Sequence, residues 1–411
     1  MSASNQPQAF TRMDKSFLGS WWWTVDRAML GCVIALIVLG VAIVATSSPS
    51  VAQRIGASSD YYFIIKHMVF LLPTIFLIIS ISMFSPRYIW RISSLIFLGG
   101  IVMMILVLML GVEEKGARRW IRIMGFSLQP SEFIKPAFAV VVAWFITLQR
   151  KKDQQALSVI HKGENSKKPF PIYYAAVFGV YVTVLALLIM QPDLGMSVVI
   201  TIIIAVQVFI AGLRFRYMAG VFAALSAGLT IAYFSLYHVQ SRIDRFFDPS
   251  SGDNYQVERS LAAIKKGGLV GVGAGQGVEK TTIPDAHADF TFSVLIEEGG
   301  VLFAFIIISL FLFILLRGFK RLQEASDDFS VLAAGGLLAM FGVQSLIHMG
   351  SSINLIPTKG MTLPFISYGG SSLVSMGIAM GMVLALTRYK SRGSISRSSL
   401  KMRRASDKDS K

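Results

Sequence analysis

The sequence predicts an all-α, polytopic integral membrane protein: a bundle of ten transmembrane helices with a large extracytoplasmic loop between helices seven and eight. Two observations carry this. Of 411 residues, 54% are hydrophobic and only 15% charged, whereas soluble domains hold about a quarter charged residues. Apolar runs long enough to cross a bilayer also recur along the whole chain: hydrocarbon about 30 Å thick needs roughly 20 apolar residues at about 1.5 Å rise each.

The runs fall at 28–45, 65–84, 95–111, 133–148, 173–190, 194–212, 218–237, 292–316, 331–350 and 373–387. Helices in lipid pack on one another rather than around separate cores, so they make one domain, 28–389. It lies between a short N-terminal segment, 1–27, and a basic tail, 390–411. The first run follows Trp21, Trp22 and Trp23 and could pass for a signal peptide, but its length and the nine runs after it favour an uncleaved anchor. Cys32, the only cysteine, lies in that run, which excludes an intramolecular disulfide.

An even number of spans returns both termini to one side. The loops of that side carry most of the 39 Lys and Arg residues, so both termini are expected in the cytoplasm, with the chain in the inner membrane. The net charge of +16 then reflects basic loops and a basic tail beside an anionic leaflet. No nucleic-acid recognition pattern accompanies it, and nucleic acid is not expected as a partner.

Three segments on the opposite side are richer in charge or glycine than a connector needs. In 111–135, Lys115, Arg118, Arg119 and Arg122 stand where cations are disfavoured. Guanidinium forks match phosphate oxygens, which makes the cluster a candidate anion grip; pairing with Glu113, Glu114 or lipid headgroups is the competing reading. Pro130 and Glu132 suit the first turn of the fourth helix. Lys135 follows Glu132 at i+3, an ionisable pair on one helix face at or below the membrane surface, and such pairs usually face a cavity or a partner. Asp193, after Pro192, is a further charge between spans.

The second segment, 241–289, contains an amphipathic helix signal over 255–264. The glycine run 267–277 is not a nucleotide loop: no strand precedes it and no Gly-Lys-Ser/Thr follows, so a flexible or closely approaching backbone is the better reading. The loop closes with Asp285, His287 and Asp289 at alternate positions. These could converge on a metal only from an extended or looped backbone. Asp289 has another use at the head of a buried helix, where partial desolvation makes a carboxylate a better base for a sugar hydroxyl. Glu297 and Glu298, two turns deeper, read as structural.

The third segment, 354–372, holds Pro and Gly at a density that forbids a regular helix. Irregular backbone at membrane depth is tolerated only where protein or water satisfies it, so this stretch is expected to line a cavity. Lys359 and Ser367 are its candidate ligand-contacting residues.

Together these segments resemble the SEDS family, the shape, elongation, division and sporulation proteins that polymerise peptidoglycan. The carrying motifs are Gly116-Ala117-Arg118-Arg119-Trp120, Gln129-Pro130-Ser131-Glu132, Gln191-Pro192-Asp193-Leu194-Gly195, the stretch 284–290 and the stretch 363–372. Within the family, Pro357-Thr358-Lys359-Gly360 and Thr362-Leu363-Pro364 are closer to the division member than to the elongation member.

The resemblance implies a glycosyltransferase that extends glycan strands from lipid II, a disaccharide-pentapeptide on undecaprenyl pyrophosphate, during division. The family's essential aspartate falls on Asp289; Ala288 stands where the family commonly has Thr. Substrate contacts are expected from Arg118, Arg119, Glu132, Lys135, Asp193, His287, Lys359 and Ser367, with a divalent cation (Mg or Mn) as a possible helper at the leaving pyrophosphate and no nucleotide or organic cofactor. The implied partners are a class B penicillin-binding transpeptidase and other division proteins, since no Ser-x-x-Lys motif with its companions is present. The rivals are an elongation-type polymerase, a lipid II flippase and a non-catalytic scaffold.

Overall fold

The structure, a computed structural model, describes residues 16–114, 117–123, 125–161, 170–235, 237–248, 254–325, 327–357 and 360–389. Lys115, Lys359 and the basic tail 390–411 lie outside the described residues.

The helices are α1 (Phe17–Thr24), α2 (Arg27–Arg54), α3 (Tyr62–Ser82), α4 (Pro86–Leu110), α5 (Pro130–His161), α6 (Ile172–Met190), α7 (Leu194–Ile210), α8 (Phe215–Ser235), α9 (Tyr237–Phe247), α10 (Tyr255–Gly267), α11 (Thr291–Gln323), α12 (Asp328–Ser352) and α13 (Gly370–Leu386). Every predicted apolar run falls on one of them. Among the described residues, 8 are long and apolar enough to cross a membrane, while α7 and α13 are shorter apolar helices. At 17 residues each, these two rise only about 25 Å. The shortfall has a physical reason: α13 is buried along nearly its whole length, so protein rather than lipid surrounds its ends.

The chain is an integral membrane protein, and its side chains are sorted accordingly. On α3, Ile65, Val69, Leu72 and Phe76 recur on one face and are exposed, a stripe that water would not tolerate and hydrocarbon does. Towards the centre, α12 packs against α5, α7, α11 and α13, and α13 packs along α3.

The end of the bundle that holds α1 is closed by a buried ion cluster. Asp26 caps α2 by accepting from Met29 N and also takes Arg317 at 2.9 Å and Arg321 at 2.6 Å from the end of α11. The guanidinium of Arg321 lies 3.7 Å from the centre of the Tyr389 ring.

The opposite, distal end departs from helix. Residues 111–128, expected as loop, form a small antiparallel sheet of β1 (Val112–Glu114), β2 (Ala117–Ile123) and β3 (Phe126–Leu128), with Val112 opposite Trp120 and Ile121 opposite Leu128. Within β2, Trp120 and Ile121 are partly buried while Arg122 is exposed, and the surrounding charge obscures the strand signal in the sequence. The helix signal over 255–264 is the core of α10.

The glycine run after α10 is a close-approach segment. Within α11, Gly300 has φ 76°, which breaks the helix. The freed groups find partners in the run: Val301 N and Leu302 N donate to Gly268 O and Leu269 O, while Val272 N and Gly273 N donate to Glu297 O and Glu298 O. A Cβ on Gly271 would stand 2.2 Å from Glu298 O, so only glycine fits there.

Glu297 and Glu298 hold this loop down. The carboxylate of Glu297 accepts from Val278 N, Glu279 N and Lys280 N at 2.7 to 2.9 Å. Glu298 pairs with buried Lys280, whose ammonium also donates to Thr46 O.

Candidate active site

A cavity of about 1030 Å³ opens at the distal end, and all three segments singled out in the sequence reach it. Arg119, Trp120 and Phe126 come from the sheet, Gln129 and Glu132 from the head of α5, and Asp193 from the head of α7. Asp285, His287 and Asp289 come from the turn before α11, and Gly360, Thr362 and Tyr368 from the irregular segment before α13.

Asp289 is half-buried at this wall. Its turn is tight, with Ala288 N and Asp289 N both donating to Asp285 O at 2.9 Å. In an i to i+4 turn the middle residue of three alternating ligands points away, and among the described residues no three His, Cys, Asp or Glu side chains converge as a metal site. The metal reading of Asp285, His287 and Asp289 is therefore not supported by their geometry. Across from Asp289 stands Gly360 (φ 57°), where a Cβ would lie 3.3 Å from Asp289 Oδ2.

His287 turns inward. Its ring lies 4.2 Å from that of Phe63 and 5.1 Å from that of Tyr368, centre to centre. Burial lowers its pKa to about 4, with nearby Arg54 acting the same way and Asp285 opposing, so the ring is neutral at pH 7. Its carbonyl accepts from Tyr368 N at 2.9 Å, joining the second and third segments. Burial, the larger cause, and neighbouring Tyr62 raise the Tyr368 phenol to about 12.

Asp193 is the N-cap of α7, accepting from Met196 N, and also takes Gln129 Nε2 at 3.1 Å. Arg119 Nε donates to Gln191 O at 2.9 Å, and its Nη2 donates to Pro192 O. The guanidinium thus fastens β2 to the bend before α7 while still lining the cavity. The Asp193 and Arg119 motifs are two halves of one joint.

Three candidates stand off the cavity. Arg118 is exposed and faces Glu113 at 3.5 Å. Lys135 is fully buried behind the wall, 2.8 Å from Glu132 Oε2 and donating to Gln344 Oε1 at 2.6 Å. Ser367 is also sealed: its hydroxyl accepts from Leu363 N and donates to Thr291 Oγ1, both at 2.9 Å. The i+3 pairing of Glu132 with Lys135 holds, and Glu132 alone meets the cavity.

Sequence reasoning passed over Lys66, which lines the cavity and donates to Tyr62 Oη at 2.6 Å. It also passed over Arg54, which donates to Ile283 O and Thr281 O and so ties the end of α2 to the loop. The signal existed for Lys66, an ionisable residue inside an apolar run.

Residues 26–392 match the family model described as cell cycle protein, which groups FtsW, RodA and SpoVE. The chain belongs to this family. A relative in Caulobacter vibrioides, named "Probable peptidoglycan glycosyltransferase FtsW", is 42% identical over 94% of this chain and 95% of its own length. A relative of the same name in Thiomicrospira cyclica is 34% identical over 88% of this chain and 91% of its own length. Among solved structures, a chain of a peptidoglycan synthase complex, reported for coordination of polymerization and crosslinking, superposes with a TM-score of 0.69 at 24% identity, covering 89% of this chain and 98% of that one. The rod shape determining protein RodA of Thermus thermophilus superposes with a TM-score of 0.63 at 23% identity, covering 90% and 99%. At these identities the two structures establish a shared fold.

Proposed function

We propose that this chain is a peptidoglycan glycosyltransferase that polymerises lipid II at the outer face of the bacterial inner membrane during division, with both termini in the cytoplasm. The observation that carries the reading is the placement of Asp289. A half-buried carboxylate stands at the head of a broken membrane helix, on the wall of a cavity large enough for a disaccharide, at the end where the sequence puts its cations against the topology bias. The relatives' names and the division-type wording of 357–364 support the septal role over an elongation-type one.

In this mechanism Asp289 removes the proton of the acceptor GlcNAc 4-hydroxyl. The alkoxide attacks the anomeric carbon of the donor sugar, and the bond to pyrophosphate breaks as the pyrophosphate leaves with its lipid, inverting the centre. Neutral His287 backs the base without adding a positive charge. Arg119, Glu132 and Asp193 line the wall available to substrate, Lys359 adjoins Gly360 in sequence, and Lys135 and Ser367 act from behind the wall. A divalent cation, Mg or Mn, would arrive on the substrate's pyrophosphate, since the described residues offer no converged metal ligands.

The partner is a class B penicillin-binding transpeptidase, which would cross-link the strands made here. A structural relative reported within a peptidoglycan synthase complex supports this.

The test is purified protein in lipid, with and without the transpeptidase, incubated with lipid II and Mg or Mn. Glycan products resolved by size are expected. Movement of lipid II across liposomes with no glycan would favour a transporter, and neither activity would favour a scaffold.

A further inference from the structure

The first turn of α11 and the segment 360–362 approach each other at the Asp289 carboxylate, yet no backbone ladder joins them. The Ser367 hydroxyl links Thr291 to Leu363, and a second link runs through α12. Gln344 and His348 stand one turn apart on the same face of that helix, and both are fully buried.

The imidazole of His348 bridges two backbones. Nδ1 lies 2.6 Å from Met361 O, and Phe292 N donates to Nε2 at 3.4 Å. A carbonyl only accepts and an amide N–H only donates, so the ring is neutral with its proton on Nδ1. The Phe292 N–H is one of the first-turn donors that a helix leaves without a partner. His348 satisfies it three residues after Asp289.

Gln344 is oriented by the same logic. An ammonium only donates, so Oε1 faces Lys135 at 2.6 Å. Nε2 then donates to Thr362 O at 3.1 Å. The Thr362 hydroxyl donates to Ser372 Oγ at 2.6 Å, tying the segment to α13. Through Lys135 the amide also reaches Glu132 on the cavity wall.

We propose that Gln344 and His348 are positioning residues of the glycosyl transfer. Together they hold the Asp289 carboxylate in register with the Gly360–Thr362 backbone and with the Glu132 wall. The inference rests on the reading of Asp289 as the base. A 1 Å displacement of a base can cost about 100-fold in rate, and this clamp is what prevents one.

The test uses full-length protein with its transpeptidase partner and lipid II, and reads kcat, KM and the pH profile of kcat/KM. Gln344→Met keeps the shape and loses the bonds to Lys135, Thr362 and Ser372; His348→Leu loses those to Met361 and Phe292. Each is expected to lower kcat about tenfold or more, leave KM within about twofold and shift the ascending limb of the pH profile. His348→Asn places an amide N–H near the Nδ1 position, keeps the Met361 bond and recovers most of kcat. If His348→Leu yields no folded protein, Gln344→Met and His348→Asn carry the test.

With Asp289→Asn inactive in the same assay, wild-type kcat in Gln344→Met and His348→Leu overturns the positioning role alone. So does an equal loss in His348→Leu and His348→Asn with an unmoved pH limb. An active Asp289→Asn overturns the base and the positioning role together.

Discussion

Lys135→Met removes one half of the ion pair behind the cavity wall. Lys135 is fully buried, its ammonium is 2.8 Å from Glu132 Oε2, and the Glu132 side chain is only 6% exposed. Breaking such a pair from one side costs about 3–5 kcal/mol, because the remaining charge keeps its desolvation penalty. The change also strips Gln344 Oε1 of its donor, which adds about 1–3 kcal/mol. Thermal unfolding of the purified protein in detergent, followed by tryptophan fluorescence, should show a fall in Tm on the order of 10 °C. Glu132→Gln combined with Lys135→Met leaves no buried charge, and replacing a whole buried pair is often neutral, so the double variant should recover most of the loss. Polymerisation should stay low in both, because Glu132 is part of the wall. A single variant as stable as wild type, or a double variant less stable than the single, would refute the reasoning.

Three further outcomes follow from the geometry. For His287, the folded pKa of about 4 lies below the ordinary 6.5, so the unfolded chain binds the extra proton between these values. Its contribution is full above pH 6.5, falls by about 3 kcal/mol as pH drops, and levels off below 4; in pH-stepped unfolding, wild type should lose more stability than His287→Asn across that window. Gly300→Ala would place a Cβ 2.3 Å from Leu269 O at φ 76°, and should destabilise the loop by roughly 3 kcal/mol or more, read as faster proteolysis within 268–278. Arg119→Ala loses two carbonyl partners and should cost roughly 2–4 kcal/mol, whereas exposed Arg118→Ala should stay within about 0.5 kcal/mol; equal effects in unfolding experiments would contradict the joint at Pro192.

The helices were legible because hydrocarbon imposes one length and one polarity on whatever crosses it. α7 and α13 stand where apolar runs were expected, but at 17 residues each they are shorter than a full span, and the bundle encloses α13 along nearly its whole length. Asp289 was legible from its place at a helix head and from the family motif. Its surroundings were not, because they depend on contacts between residues far apart in sequence. Arg119 shows this well: its charge suggested an anion, while its fork is fastened to the carbonyls of Gln191 and Pro192. Lys135 was read as facing substrate, yet at i+3 it sits one turn behind Glu132, on the side that α12 covers. Gln344 and His348 were readable as two polar residues at i and i+4 within an apolar run, but what they hold could not be guessed until the 360–362 backbone was in place. The glycine run was open to two readings, a flexible backbone or a close approach, and its partner in the close approach, the break at Gly300, lies more than twenty residues away.

The central claim turns on one carboxylate. Purified wild type and Asp289→Asn, each in lipid with the transpeptidase partner, lipid II and Mg or Mn, should be compared for glycan product by size and, separately, for lipid II binding. Wild type should build strands, and Asp289→Asn should bind lipid II with an affinity within a fewfold of wild type while making almost none, the loss of a general base being worth about 100-fold or more. Strands of normal length made at the normal rate by Asp289→Asn would contradict the account.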